Sequence, residues 1–123
     1  MKITQKQAID LYRVVRKLEC QDNDGATALY LFEVRKKLEP RFLFQDEQEK
    51  KAIGELECAI DENGIIAFPN TEAKEKYIEK LGELEKLEFE LDIDEKRPFN
   101  ISGYKMSAND IGVISEILPV ICN

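Results

Sequence analysis

The chain has 123 residues, of which 43% are hydrophobic and 35% are charged, and its formal net charge is −7. This length and composition predict one folded domain over residues 1–123 with a real core, and they argue against disorder along the whole chain. The sequence contains no histidine, the commonest catalytic base, and its acidic balance disfavours general nucleic-acid binding. We therefore expect a protein that is not an enzyme and that uses no cofactor or metal ion.

The cysteines and the apolar segments bear on the cellular compartment. Cys20, Cys58 and Cys122 are far apart, and an odd number at wide spacing predicts free thiols in a reducing compartment. Cys58 lies on an apolar helical stripe and is predicted to be a small core residue. We find no apolar run of signal-peptide or membrane-spanning length, so we expect a cytosolic protein.

The first sixty residues have a helical pattern. Thr4 and Gln7 fit a capping box, in which each side chain satisfies a backbone N–H of the other residue, at the start of the first helix. A second helix is predicted over about 25–39, apolar around much of its circumference. Pro40 then either kinks this helix or begins another one. A third helical stretch is predicted over about 41–60.

The middle of the chain alternates between strands and helices. The polar run 45–51 in the third helical stretch is predicted to face solvent. Asp61-Glu62-Asn63-Gly64 is the strongest turn signal in the sequence, and a short strand is predicted after it over 65–68. Thr71 is placed to cap a helix over about 72–85.

The last third contains the clearest strand pattern. Residues Leu87–Asp94 alternate strictly between apolar and acidic side chains. A second short strand is predicted over 99–101, and a last helix begins at Ser107. The fold class that follows is α+β and predominantly helical, with a helical hairpin and a small two- or three-stranded sheet.

The acidic face of the predicted strand is the first candidate binding surface. It consists of Glu88, Glu90, Asp92 and Asp94, which alternate along the chain and would share one side of a sheet. Such a face is most simply a solvated sheet surface. It would equally suit docking of a basic protein partner, and paired carboxylates would also allow hydrolytic chemistry with a metal ion.

The segment around Pro40 is the second candidate binding surface. Arg35, Lys36 and Arg41 form the densest basic cluster, and Phe42 and Phe44 follow it directly. The basic residues are either the exposed side of a buried helix or a contact for a partner, and direct nucleic-acid binding is not expected. Because consecutive apolar residues on a helix cannot all face one core, one of the two phenylalanines is a candidate anchor for a partner or a second copy.

Several segments together resemble a domain-of-unknown-function family, family 1617, of small phage and prophage proteins from Gram-positive bacteria. The resemblance covers nearly the whole chain in the order of its elements. It implies a phage or prophage product in the cytoplasm of a bacterial host or on a virion, and it implies no known activity. The matching segments are Met1-Lys2-Ile3-Thr4, Gln7-Ala8 with Leu11, Lys36-Lys37-Leu38-Glu39-Pro40, Asp61-Glu62-Asn63-Gly64, Tyr77 with Leu81 and Leu84, Leu87–Ile93, Ser107-Ala108 with Asp110, and Leu118-Pro119 with Ile121.

Three functions remain open at this point. The leading one is a non-enzymatic protein–protein interaction protein that inhibits a host factor, for example a defence enzyme, or that assists virion assembly. The alternative is a binder of a small molecule or nucleotide at an oligomer interface, through arginine side chains. A carboxylate–metal hydrolase is the third. The arginines considered for the alternative are Arg13, Arg16, Arg35 and Arg97.

Overall fold

The computed structural model of the protein describes residues 1–94 and 96–122. The first helix, α1 (Gln5–Glu19), begins at the predicted capping box. The Thr4 hydroxyl accepts a hydrogen bond from the backbone N–H of Gln7 at 3.1 Å, and the Thr4 N–H donates to the Gln7 side chain at 2.9 Å. These two bonds satisfy donors that the first helical turn leaves without an intrahelical partner.

The second helix, α2 (Gly25–Glu55), is one continuous helix of 31 residues with Pro40 inside it. Asp24 caps its start by accepting a hydrogen bond from the N–H of Thr27 at 2.8 Å. Proline removes one backbone donor, but packing on α1 holds the helix through this position. The ring of Phe42 stacks on that of Tyr12 with centroids 4.3 Å apart.

The predicted third helical stretch over 41–60 is therefore wrong in two ways. Its first part is the continuation of α2, and its last residues lie outside the helix, which ends at Glu55. Glu57 has a left-handed backbone conformation, with φ at 56°, and this ends the helical path. Cys58 follows that bend and is half-buried, so its predicted place on a helical core stripe is also wrong.

The helices α1 and α2 form the predicted hairpin and lie antiparallel. Gln5, at the start of α1, donates through its side-chain amide to the carbonyl of Arg41 at 2.7 Å and lies 3.4 Å from the Gln45 amide oxygen. At the other end Glu19 pairs with Arg35. Gln45 is buried. The prediction that the whole run 45–51 faces solvent is wrong at that residue, because Gln45 lies under the start of α1.

The strands form three separate two-stranded pairs in the described part of the chain. Strand β1 (Lys2–Thr4) runs antiparallel to β4 (Glu88–Glu90), with Ile3 opposite Phe89. The predicted strand over Leu87–Asp94 is thus cut to three residues. After Leu91 the Ile93 N–H donates back to the Leu91 carbonyl at 3.2 Å, and this local bond takes the chain out of the strand.

The other two pairs are shorter. Strands β2 (Ala59–Ile60) and β3 (Ile66–Ala67) form an antiparallel hairpin around the predicted turn, and β5 (Phe99–Asn100) runs parallel to β6 (Val120–Ile121). Two further helices, α3 (Thr71–Glu85) and α4 (Ala108–Ser115), complete the described elements. The predicted α+β class, predominantly helical, is confirmed.

The main core lies between α1, the first half of α2, α4 and the strands beside them. It draws no member from residues 45–85, all of which the structure describes. We call residues 45–85 the distal lobe: the second half of α2, the β2–β3 hairpin and α3. The main-core side chains are Ile3, Ala8, Leu11, Val14, Val15, Leu18, Tyr30, Leu31, Val34, Leu38, Leu91, Phe99, Ile114, Ile117 and Leu118.

Candidate functional site

The predicted acidic face is broken up in the folded chain. Glu88 forms an ion pair with Lys2 at 3.2 Å across the β1–β4 pair, and Glu90 lies 3.2 Å from the N-terminal ammonium group. Asp92 and Asp94 lie beyond the strand, and the Asp94 carboxylate accepts a hydrogen bond from the Lys96 N–H at 2.9 Å. The prediction of one continuous acidic sheet face is therefore wrong beyond Glu90.

Two basic side chains of α2 are paired along the helix surface. Arg35 Nε lies 2.7 Å from the Glu19 carboxylate, and this pairing raises the pKa of Arg35. Lys36 pairs with Glu39 at 3.1 Å. Pairing of this kind lowers the net positive charge that these residues present to a partner.

The other cations of this segment reach toward the β4 strand. The Arg41 guanidinium lies over the Phe89 ring, 4.0 Å from its centroid, and the Lys37 ammonium donates to the Asp92 carbonyl. The structure thus brings the two predicted surfaces side by side. The Arg41 guanidinium is therefore engaged by the Phe89 ring of the same chain, and its position needs no partner to explain it.

The two phenylalanines of the candidate anchor have different environments. Phe42 packs on Tyr12 and belongs to the helix–helix contact, whereas Phe44 is 37% exposed. Leu43, between them, is 58% exposed. Leu43 and Phe44 are thus the exposed apolar side chains of this segment, and Phe42 is half-buried against Tyr12.

Two more apolar residues of α2 continue this exposure, and the sequence analysis did not single them out. Leu29 is 57% exposed and Phe32 is 44% exposed. Helical geometry places Leu29, Phe32, Leu43 and Phe44 within one side of α2, because Phe32 and Leu43 are 11 residues, or about three turns, apart. We call these four residues the outer ridge. In the sequence, the feature that indicated this ridge was the apolar character of the predicted second helix around much of its circumference.

The distal lobe carries the other concentration of exposed apolar side chains. Ile60, Ile65 and Ile78 are each more than half exposed. The lobe also contains twelve acidic and five basic side chains, and its net charge of −7 equals that of the whole chain. The residues outside the lobe have equal numbers of acidic and basic side chains, so their formal net charge is zero. The acidic character that the sequence shows is therefore a property of one region.

A cavity of about 330 Å³ lies between the start of α2 and the loop around β5. Arg97 lies over the Tyr30 ring at 4.2 Å, and Tyr30, Phe99 and Tyr104 stack in succession at 6.0 and 5.6 Å. Burial raises the pKa of Tyr30, whose hydroxyl has no hydrogen-bond partner among the described residues. Asp22 and Asp24 are exposed acidic residues that line this cavity.

The four arginines considered for anion binding have different environments. Arg97 lines the cavity beside Tyr30, and Arg35 is held by Glu19. Arg13 lines a polar groove between α1 and α4, and Arg16 is exposed on α1. Arg97 is thus the one of the four that the structure places in a cavity with aromatic walls.

Within residues 1–94 and 96–122, no group of three or more Cys, Asp or Glu side chains is arranged to hold a metal ion. In the same residues, no helix combines the length and the apolar character that crossing a membrane requires.

Comparison with protein-family models, with curated proteins and with solved structures finds no match to this chain. The fold and the surfaces define an α+β, predominantly helical protein with exposed apolar side chains on a long helix and on an acidic lobe.

Proposed function

We propose that this chain is a small non-enzymatic interaction protein of phage or prophage origin, which inhibits a bacterial host factor or assists virion assembly. The observation that carries the proposal is the outer ridge. Leu29, Phe32, Leu43 and Phe44 stay exposed on α2 although the main core beneath them is closed by other residues. The resemblance to family 1617 supports the origin.

The energetics support a binding role for the ridge. Burying a fully exposed large apolar side chain contributes about 1.5–3 kcal/mol. The ridge residues are 37–58% exposed, so each can add roughly half of that on binding, and the four together can anchor a partner. Helices that bind in this way present anchors at intervals of three, four and seven residues along one face. Leu29 and Phe32 have the three-residue spacing, and Leu43 follows Phe32 on the same face after about three turns.

A photo-crosslinking amino acid placed at Phe32 tests the proposal in cells of a Gram-positive bacterium, with and without infection by a phage. We expect one or a few defined protein adducts from position 32, identified by mass spectrometry. A crosslinker at Arg16, exposed on the opposite helix of the hairpin, is the matched control. An adduct with a host protein indicates inhibition, and an adduct with a capsid or tail protein indicates assembly. The same adducts from both positions would contradict the proposal.

The cavity beside Arg97 favours the second candidate function, a binder of a small molecule or nucleotide. Its aromatic walls and single guanidinium suit a planar polar ligand, and its volume lies near the lower end of the usual range for ligand sites, about 300–1,000 Å³. Native mass spectrometry of the protein from bacterial extract tests this function. We expect a stoichiometric small-molecule adduct that Arg97→Ala abolishes and Arg16→Ala retains. Unmodified protein in every preparation would exclude it.

A further inference from the structure

We infer that the distal lobe docks a basic, amphipathic helical segment of a protein partner. This inference uses the proposed function only in assuming that the chain acts by binding protein. It assigns a second surface, separate from the outer ridge, and it states the chemistry of what binds there.

The charge of the lobe is the first observation. Residues 45–85 contain twelve acidic side chains and five lysines. Two of the lysines are already paired along their helices, Lys50 with Asp46 at 2.8 Å and Lys76 with Glu72 at 3.1 Å. Ten carboxylates and three lysines of the lobe remain outside these two pairs. This excess of negative charge gives a negative potential over the lobe. A phosphate backbone or an anionic membrane is repelled by it.

The apolar side chains of the lobe are the second observation. The hairpin and α3 pack together through Phe68 and Tyr77, whose ring centroids are 5.5 Å apart. Ile60, Ile65 and Ile78 project from these same two elements and are 52–63% exposed. A purely electrostatic partner would leave these three side chains in water. Carboxylates lie near two of them, since the Asp61 carboxylate accepts a hydrogen bond from the Ile65 N–H at 2.8 Å and Glu75 is one helical turn from Ile78. A partner that is both basic and apolar would cover such side chains and pair with these carboxylates.

A helix with one basic and one apolar side has the required combination of groups. Its leucine-like side chains would cover the exposed isoleucines, and its lysines or arginines would lie opposite the glutamates of α3 and of the turn between β2 and β3. Charge complementarity would speed association and make it sensitive to salt, while the isoleucines would slow dissociation.

The test uses the full chain and a fluorescent synthetic peptide of 18 residues in which leucine and lysine repeat with helical spacing. Two peptides serve as controls, one with serine in place of each leucine and one with glutamate in place of each lysine. We expect the amphipathic peptide to bind at least about tenfold more tightly than either control, which corresponds to about 1.4 kcal/mol. Equal binding of the serine peptide would overturn the apolar part of the inference.

Localisation of the peptide decides whether the lobe is the site. We expect amide chemical-shift changes within residues 45–85, and an affinity at least about tenfold weaker for the double variant Ile60→Ser/Ile78→Ser. The control variant Ile111→Ser/Ile121→Ser changes two isoleucines that are 37% and 40% exposed and lie outside both the lobe and the outer ridge, and it should bind within a factor of about two. The shift changes are measured on the unaltered protein, so they decide the point even if the double variant folds poorly. Shift changes centred on α1, on the outer ridge or on β4 would overturn the inference.

The two proposals fail separately. Peptide binding on the lobe with no position-specific crosslink from Phe32 supports the docking inference and contradicts the role of the ridge. A defined crosslink from Phe32, with peptide binding elsewhere or nowhere, supports the interaction function and overturns the docking inference.

Discussion

Helix α2 passes through two environments, and the contrast between them explains much of the molecule. In its first half Leu31 and Leu38 are completely buried against α1 and the strands. In its second half the buried residues are Gln45 and Ala52, and neither offers much apolar surface. The same helix is therefore part of a dense core at one end and of a lightly packed lobe at the other.

This difference separates the region that stabilises the fold from the region that keeps apolar side chains exposed for binding. Stabilisation by burial scales with the apolar area removed from water, so the region around Leu31 and Leu38 contributes most of it. The distal lobe keeps Ile60, Ile65 and Ile78 outside, and it concentrates negative charge that repels itself. Regions with few buried apolar contacts open locally at lower free energy than the core.

The largest expected effect is in the main core. Leu38→Ala should lower the free energy of unfolding by about 2–5 kcal/mol, because Leu38 is fully buried and alanine leaves a cavity. The matched control on the same helix is Leu43→Ala, which should change stability by less than about 0.5 kcal/mol because Leu43 is exposed. Urea denaturation followed by circular dichroism measures both. Equal losses would remove the contrast between the two environments.

The next effect is confined to the lobe. Tyr77→Ala removes the ring that packs on Phe68 and should cost about 2–4 kcal/mol of the local stability of residues 45–85. Hydrogen exchange of backbone amides should then become fast in α3 and in the hairpin while α1 stays protected. If α1 loses protection to the same extent, the lobe and the core unfold as one cooperative unit.

The sequence predicted the main elements better than their connections. The capping box of Thr4 and Gln7 and the turn at Asp61–Gly64 depend on residues a few positions apart, so local chemistry determines them. The continuity of α2 through Pro40 depends on Tyr12 and the start of α1, contacts that a linear pattern does not contain. Tertiary packing here outweighs the local preference of proline.

The candidate surfaces likewise combine features that the local sequence determines with features that only tertiary packing determines. Exposure of an apolar residue after Pro40 was predictable, because three consecutive apolar residues cannot share one face of a helix. Which residue is exposed was not, since Phe42 is covered by Tyr12 and Leu43 is not. The alternation of Leu87–Asp94 correctly predicts a strand at Glu88–Glu90 and wrongly extends it to Asp94. Its pairing partner, Lys2–Thr4, lies at the other end of the sequence and limits the strand to three residues.

A smaller effect is expected at the junction of the two regions. Gln5→Ala removes the hydrogen bond to the Arg41 carbonyl and leaves the buried Gln45 amide without its neighbour, at a cost of about 1–3 kcal/mol. The adjacent Lys6→Ala should cost less than about 1 kcal/mol, because the Lys6–Asp10 ion pair is exposed. Thermal unfolding compares the two variants. A larger loss for Lys6→Ala would mean that the Lys6–Asp10 pair within α1 contributes more to stability than the buried amide contact between α1 and α2.

The smallest effect concerns the hydroxyl of Tyr30 in the core half of α2. This group is buried without a partner among the described residues, so Tyr30→Phe should leave stability unchanged or raise it by about 1 kcal/mol at neutral pH. Burial raises the pKa of Tyr30 in the folded state above the value of about 10 for the unfolded chain. The folded protein therefore keeps this proton longer than the unfolded chain does.

The direction of the pH dependence follows from that order of pKa values. The folded state tolerates only the neutral phenol, so the stability that depends on this proton is complete below the pKa of the unfolded phenol and is lost as the pH rises through the pKa of the folded state. Unfolding by urea across this alkaline range should show a smaller loss of stability for Tyr30→Phe than for the unaltered chain. Tyr77, whose pKa burial also raises, keeps its own contribution in both proteins, so the difference between them isolates the core half of α2 from the lobe. Identical alkaline profiles would show that the Tyr30 hydroxyl is solvated in the folded state, and the packing around the first half of α2 would then be looser than its burial implies.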